Sequence, residues 1–481
     1  MKKGSITVFL AFILSLLTAL VCTQLSSVKQ AASRAQIAGA ADIGLYSLFA
    51  QYDKDLLEQF EIFGLDGCFG GEALDLGKVY DVIGRYMEPV LEQNFTELKL
   101  KGGGFTGYEL ATDDGGLPFY HQAAEAEKFL LGEQGIQLLL SKTEEQKEHA
   151  VWQERMQEDK EREEILQQYD REIEADKENA QGPEGFQTEI QEQPTPVPVE
   201  NPIEVIRRIQ KMGLLELVLQ NSREVSTKEA DTKTFVSKRK CEVGMSMETA
   251  PIKVGGTEDF LYQEYILSKC GNYLSPGEGS LSYQAEYILY GKDSDISNLK
   301  KTVNRLLLLR EGANLIHLYS DPGKYGQAST LAATIAASLL LPAAEPVICL
   351  AVLSCWAFGE SILDVRQLMA GGKVAFVKDP ESWQLSLENL PKLLERLDED
   401  RRNQKDGLGY KDYLRILLFM TGREQKISRG MDMVEVGMRA FKNRKSFRLD
   451  GCILAAEVTA DVEAGGEKIY QITRSYGYGQ D

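Results

Sequence analysis

The chain has 481 residues, 43% of them hydrophobic and 26% charged, which is enough apolar content to bury one or two cores. Asp and Glu number 73 against 54 Lys and Arg, a net charge of -19, and such an acidic field excludes a nucleic-acid surface, which needs clustered cations. Three histidines (His121, His149 and His317) and seven scattered cysteines leave few parts for metal or nucleophilic chemistry, so no catalytic, cofactor-binding or metal-ligating residue is assigned.

Met1, Lys2, Lys3 and Gly4 precede Ile6–Leu25, an uncharged apolar run. At ~1.5 Å per residue it matches the roughly 30 Å hydrocarbon core, so it predicts a transmembrane helix whose first partner is membrane lipid. The opening lysine pair favours a cytoplasmic amino terminus with the bulk of the chain outside, although Lys29 and Arg34 on the other flank oppose it. A cleaved signal is the competing reading, but no Ala-x-Ala pattern closes the run, which is also long for a signal. Lipidation at Cys22 lacks the residue order of a lipobox in Ala19, Leu20 and Val21. Beyond the run, Val28, Ala31, Ala32, Ala35, Ile37, Ala38, Ala41 and Leu45 recur at helical spacing, predicting one helix from about Ile6 to about Glu61.

The segment KGSITVFLAFILSLLTALVCTQLSSVKQAASRAQIAGAADIGLYSLFAQYD resembles the anchors of Tad/Flp-type minor pseudopilins of the TadE/TadG kind, through Gly4, Ser5, Thr7 and Val8, then Arg34, Ala35, Gln36, Ala40, Ala41 and Asp42. If Gly4–Ser5 were a prepilin-type processing site, Phe9 would stand where pilin-like proteins carry a glutamate, and it cannot pair with a neighbouring amino terminus inside a membrane. Further on, Tyr287–Asp321, Trp356–Leu390 and Gly407–Met420 resemble a widespread uncharacterised family of anchored bacterial proteins, often encoded with Tad-like secretion components. That resemblance carries no catalytic residue with it.

Glu144–Gln181 is dense in Glu, Lys, Arg and Gln, with Ile165, Leu166, Tyr169 and Ile173 among a few apolar residues and Glu158–Arg162 at i,i+4 spacing. It predicts a solvated helix or spacer, with a partner-binding coil as the alternative. Gln181–Pro202 holds seven Gly and Pro residues and predicts an extended linker. Helices are expected over Gln122–Leu131, Pro202–Gln220, Phe260–Lys269, Gln284–Tyr290 and Asp295–Ser320, and strand signals over Phe95–Leu100. Ala328–Phe358 is a second apolar island, charged only at Glu345 and broken by Pro342 and Pro346. Its halves are short for a bilayer, which predicts a buried helical hairpin, with a membrane-associated hairpin anchored by Trp356 as the alternative. Asp450–Ala460 and Lys468–Arg474 alternate as two strands about a turn at Gly465 and Gly466.

The expected fold is therefore predominantly α with minor β, an N-terminal transmembrane helix extending into an extracytoplasmic helical domain. Four regions are read: 1–66 anchor and Ala-rich extension, 67–142 small α+β region, 143–202 charged helical spacer and Pro-rich linker, and 203–481 mainly helical domain.

Gly102, Gly104 and Gly107 have dinucleotide-loop spacing, but Asp113–Gly116 reads as a turn where that loop needs a helix, so a flexible loop is expected. Gly371, Gly372 and Lys373 evoke a phosphate loop, yet Val374 stands where the Ser or Thr should be. Cys349 and Cys355 lie in an apolar helix and read as small core residues; a location outside the membrane permits a disulfide such as Cys241–Cys270 without demanding one. The single anchor and the few catalytic parts suggest a structural role outside the membrane. The resemblance implies an assembly component of a Tad-like pilus or secretion system with pilus or secretion proteins as partners. The alternative is a cell-surface hydrolase with a carboxylate-based site.

Overall fold

The computed structural model of the chain describes residues 3–93, 97–159, 162–180, 201–220, 224–245, 247, 252, 254–397, 407–466 and 468–478. The linker read over 181–202 falls almost wholly outside them, as does the side chain of Glu158. In chain order the elements used below are α1 (Lys3–Phe49), α2 (Lys54–Phe60), β1 (Leu65–Asp66), α3 (Leu76–Glu92), β2 (Leu98–Leu110), α4 (Leu117–Asp159), α5 (Arg162–Ala180), α6 (Pro202–Gln210), α7 (Leu214–Val218), α8 (Thr257–Lys269), α9 (Gln284–Tyr290), α10 (Asp295–Ser320), α11 (Pro322–Leu339), α12 (Glu345–Met369), α13 (Tyr410–Phe419), α14 (Arg423–Ala440), β3 (Cys452–Ala464) and β4 (Lys468–Gly477). The fold is thus α with one small sheet, as expected. Two compact bodies form: Met1–Phe129 with Lys233–Glu258 and Gly430–Asp481, and Leu130–Thr232 with Asp259–Arg429.

In the first body, α1 is exposed on all sides from Ile6 to Ala32. From Ser33 onward one stripe turns inward: Ile37, Ala40, Ala41, Leu45 and Leu48 bury against α3 and the sheet. Gly44 lets α3 come close, because a Cβ there would lie 2.8 Å from Met87 and 2.9 Å from Ile83. The continuous helix expected to Glu61 breaks after Phe49. The Asp53 carboxylate accepts the Asp55 and Leu56 N–H groups and caps α2, which ends at Glu61 in the left-handed region, φ 55°.

The sheet is antiparallel around β3. β2 pairs along one edge, from Leu98 opposite Ala464 to Leu110 opposite Ile453, while β1 and β4 share the other. Both strands expected near the carboxy terminus are present, and their turn uses Gly465 (φ 63°) and Gly466 (φ 80°), a backbone that L side chains resist. The loop expected at Gly102–Gly107 is instead the middle of β2. Glycine serves there for close approach: the Tyr80 hydroxyl donates to the carbonyls of Gly102 and Thr459, each at 3.2 Å, through space a Cβ on Gly103 would fill. Strand β4 runs beside α1 in the same direction, with Arg34 over Tyr470 (5.8 Å), Arg474 paired to Asp42 (3.0 Å), and Tyr46 and Phe49 edge-on to Tyr476 and Tyr478. Helix α3 runs the other way, its Val90 carbonyl accepting from Gln36 (2.8 Å).

The second body is built on α10 and α12. Apolar residues at 299, 303, 306, 307 and 318 of α10 are buried, and from Ile348 to Met369 α12 is buried on almost every side. The apolar island is the α11–α12 hairpin, joined over Leu341–Ala344. Trp356 does not sit at an interface: it is 1% exposed and its Nε1 donates to the Leu385 carbonyl (2.7 Å). Helix α5 is not solvated all round, since Ile165, Leu166, Tyr169 and Ile173 are buried and Arg162 lies 3.8 Å over the Phe358 ring of α12.

Candidate functional site

The densest grouping of ionisable side chains in the second body is inside it. Helical spacing puts Arg310, Asn314 and His317 on one face of α10, and Glu360, Ser361, Asp364 and Gln367 on the facing side of α12. The irregular stretch after α12 contributes Lys378, Ser382 and Trp383, and α13 contributes Tyr413. Arg310, Glu360 and Asp364 are fully buried and Lys378 is 6% exposed.

Arg310 Nε donates to Asp364 Oδ2 (3.1 Å), and its Nη1 donates to the Phe376 carbonyl and the Tyr413 hydroxyl, each at 3.0 Å. Lys378 Nζ donates to Glu360 Oε1 (2.6 Å), Asp364 Oδ1 (2.8 Å) and the Ser382 carbonyl (3.1 Å). Glu360 also accepts the N–H groups of Gln384 (3.0 Å) and Leu385 (2.8 Å), and Asn314 donates to Ser361 (3.0 Å). Two cations face two carboxylates, so the cluster is neutral. Every carboxylate oxygen in it has a partner, which is the condition under which buried charge is tolerated. Burial pushes the Tyr413 hydroxyl up to about 12 despite Arg310 beside it, so it stays a neutral donor and acceptor at neutral pH. With its carboxylate oxygens occupied, this arrangement clamps the chain around Phe376–Leu385 to α10 and α12. It positions backbone and presents no acid–base pair to a reactant.

At its edge, His317 stacks on Trp383 (5.2 Å between centroids) with Lys324 over the same indole. Burial lowers the imidazole pKa, and Lys324 lowers it further, which favours the neutral ring. Two other carboxylates are perturbed. Burial raises Glu286 to about 7, against hydrogen bonds from the Tyr410 hydroxyl (2.6 Å) and the Tyr273 N–H (2.8 Å). Burial likewise raises Glu311 to about 7, against Arg162 at 2.6 Å. Neither lines the open groove of about 840 Å³ between α11 and the turn of chain at Leu387–Lys392. In the first body, Arg239 bridges Glu435 and Asp450. Burial would raise Asp450, but Arg448, the Glu242 N–H and Arg239 together hold it at about 2.

The residues weighed from sequence fall elsewhere, with one exception. His317 joins the edge of the cluster; His121 lies on the first-body part of α4 and exposed His149 on the second-body part, its ring 6.3 Å from Phe376. Gly371 and Gly372 close the carboxy terminus of α12, donating to Leu368 and Gln367 carbonyls, whereas a phosphate loop opens an amino terminus. All seven cysteines are free, Cys241 and Cys270 included, and burial pushes Cys355 up to about 12. Among the described residues, no group of three or more His, Cys, Asp or Glu is placed to hold a metal ion. Arg310, Glu360, Asp364 and Lys378 were not singled out from sequence. Their one signal is charge on an apolar helix: Glu360 and Asp364 interrupt the run that starts at Glu345.

The model of a family of unknown function, DUF5702, matches residues 192–464. That is more than half of the chain, which belongs to this family. The match begins well after the segment that resembles pseudopilin anchors. No curated protein and no solved structure matches the chain.

Proposed function

We propose that this member of the DUF5702 family is a membrane-anchored structural or assembly component. Helix α1 is its anchor, its amino terminus is cytoplasmic and the remaining chain lies outside. The observation that carries the reading is α1 itself, which leaves Ile6, Phe9, Leu10, Phe12, Leu14 and Leu16 each more than 60% exposed in a helix long enough to cross a bilayer. Such an apolar surface needs lipid or another apolar partner. The closed ion clusters support a scaffold, because they fix backbone without offering a reactive group.

The finer assignment, a part of a Tad-like pilus or secretion machine, rests on the resemblance of residues 4–42. Alkaline carbonate extraction tests the anchor: the protein stays in the membrane pellet, and release into the supernatant overturns it. Protease shaving of intact cells tests orientation, with degradation of everything beyond about Lys29 expected and full protection of Gly407–Asp481 contradicting it. Co-purification with Tad-like secretion proteins tests the assignment, and their absence from the purified complex removes it. The rival reading, a carboxylate-based hydrolase, draws on the raised Glu286 and Glu311. Unchanged hydrolysis of cell-surface polymers by Glu286→Gln and Glu311→Gln variants retires it.

A further inference from the structure

The way α1 enters its body fixes which end of that body meets the bilayer. Contacts pair Arg34 with Tyr470, Asp42 with Arg474, Tyr46 with Tyr476 and Phe49 with Tyr478. Over that stretch the helix advances about 22 Å and the strand about 26 Å, so β4 lies alongside α1 nearly parallel to it. Helix α3 is antiparallel to both, with Val90 beside Gln36. The β3–β4 turn, the carboxy-terminal end of α3 and the first residues of β2 therefore share one end of the body, and the Gly465 N–H donates to the Glu97 carbonyl there (3.0 Å).

That end is close to the membrane. From Leu25, where the uncharged run stops, to Arg34 is about 14 Å of helix. From Tyr470 back to Lys468 is about 7 Å of strand, and back to Gly466 about 13 Å. A headgroup layer is roughly 5–8 Å deep on each side. The turn thus comes level with the end of the apolar run, Lys468 stands about 7 Å beyond it within the headgroup layer, and Ile469 and Tyr470 follow at about 10 and 14 Å, just outside that layer. Their chemistry suits a bilayer surface. Ile469 is 65% exposed on an edge strand, Tyr470 is amphipathic, and the Lys468 amine lies over the Tyr470 ring (5.0 Å). Nearby charges are mixed, Lys99 and Lys468 with Glu88, Glu92 and Glu97, a set without the net positive charge that favours anionic lipid, so zwitterionic headgroups are the surface it fits.

We propose that the tip of the β3–β4 hairpin, led by Lys468 with Ile469 behind it, is a second bilayer contact that seats the first body on the headgroup surface of a phospholipid membrane. The proposal rests on the reading of α1 as the anchor. The contact makes the anchor a two-point attachment, fixing the tilt and rotation of the body that a single helix leaves open.

The test uses the full chain in phosphatidylcholine vesicles, with tryptophan introduced by Ile469→Trp or, farther along the same exposed face of β4, by Ser475→Trp. Each variant's fluorescence is compared with the parent's in vesicles with and without a nitroxide on the headgroup. The increment from Ile469→Trp is lost to the quencher and that from Ser475→Trp persists. Persistence of both while the protein floats with the vesicles overturns the hairpin contact and leaves the anchor standing. Quenching of both overturns the end-on seating. Failure to float with vesicles overturns the anchor, and the hairpin contact with it.

Discussion

Arg310 and Asp364, both fully excluded from solvent, meet at 3.0 Å across the α10–α12 interface, and the second oxygen of that carboxylate is taken by Lys378. Removing one partner of such a pair strands the other without water. Asp364→Asn is therefore expected to cost about 3–5 kcal/mol, and Arg310→Met a similar amount. Replacing both, as Arg310→Met with Asp364→Asn, is expected to cost less than the sum, because Lys378 keeps Glu360. Urea unfolding of the four proteins measures the coupling; additive losses would contradict the clamp.

Gly44 is the point of closest approach between α1 and α3. A Cβ there meets Met87 and Ile83 at under 3 Å in a packed interface, so Gly44→Ala is expected to destabilise the first body by about 1–3 kcal/mol. Helix propensity alone would favour alanine. A rise in thermal midpoint would show that α3 yields.

Glu286 binds its proton more tightly when folded, at about 7 against 4.5 for the free group, chiefly through burial. Stability from this group is fully present below about pH 4.5 and is lost as pH rises through about 7, since the folded state then holds the extra proton. Tyr410, Tyr273, Cys270 and Asp295 face it and none supplies a positive charge. Glu286→Gln is expected to flatten the fall in stability across that interval relative to the parent. Identical pH profiles by chemical denaturation would mean the carboxyl is not the titrating group.

On α1 the small residues divide. Ala41 belongs to the body's own core, while Ala31 and Ala35 are exposed and Ala38 is half-buried. Ala31, Ala35 and Ala38 are thus the ones open to a partner helix. Ala35→Leu with Ala38→Leu is expected to leave membrane extraction behaviour unchanged and to abolish co-purification of partner proteins, because bulk there blocks close helix approach. Undiminished co-purification would remove lateral assembly through this face.

Some elements were legible because local chemistry and tertiary context agree. Helices α9 and α10 match their expected limits, and the Gly465–Gly466 turn between alternating strands marks the hairpin. Other features required weighing signals that conflict. Asp53 is a strong cap two residues before Asp55, hidden inside a helix-prone sequence. In α5, the apolar i,i+4 series Ile165, Tyr169 and Ile173 was outweighed by the charge density around it. In β2, four glycines read as a loop because the pairing that makes them a strand comes from β3, far along the chain. The ion cluster was hidden for the same reason: Glu360 and Asp364 are ordinary helix residues until Lys378 and Arg310 close on them.

That distance along the chain has a consequence for how the molecule is made. The sheet under α1 has β3 at its centre, yet β1 and β2 are synthesised soon after α1 and β3 emerges only after the whole stretch between Leu110 and Cys452. At usual elongation rates the interval is roughly tens of seconds. Through it, β2 has no β3 to pair with, and the inward stripe of α1 lacks the cover that β3 and β4 supply. If α1 is already inserted by then, this unpaired edge and apolar face are held at a membrane while the second body, contained wholly within the intervening synthesis, has time to fold. A chaperone would meet its substrate in that interval, and truncation between Leu110 and Cys452 would leave β2 without its partner strand, a form suited to quality-control proteolysis.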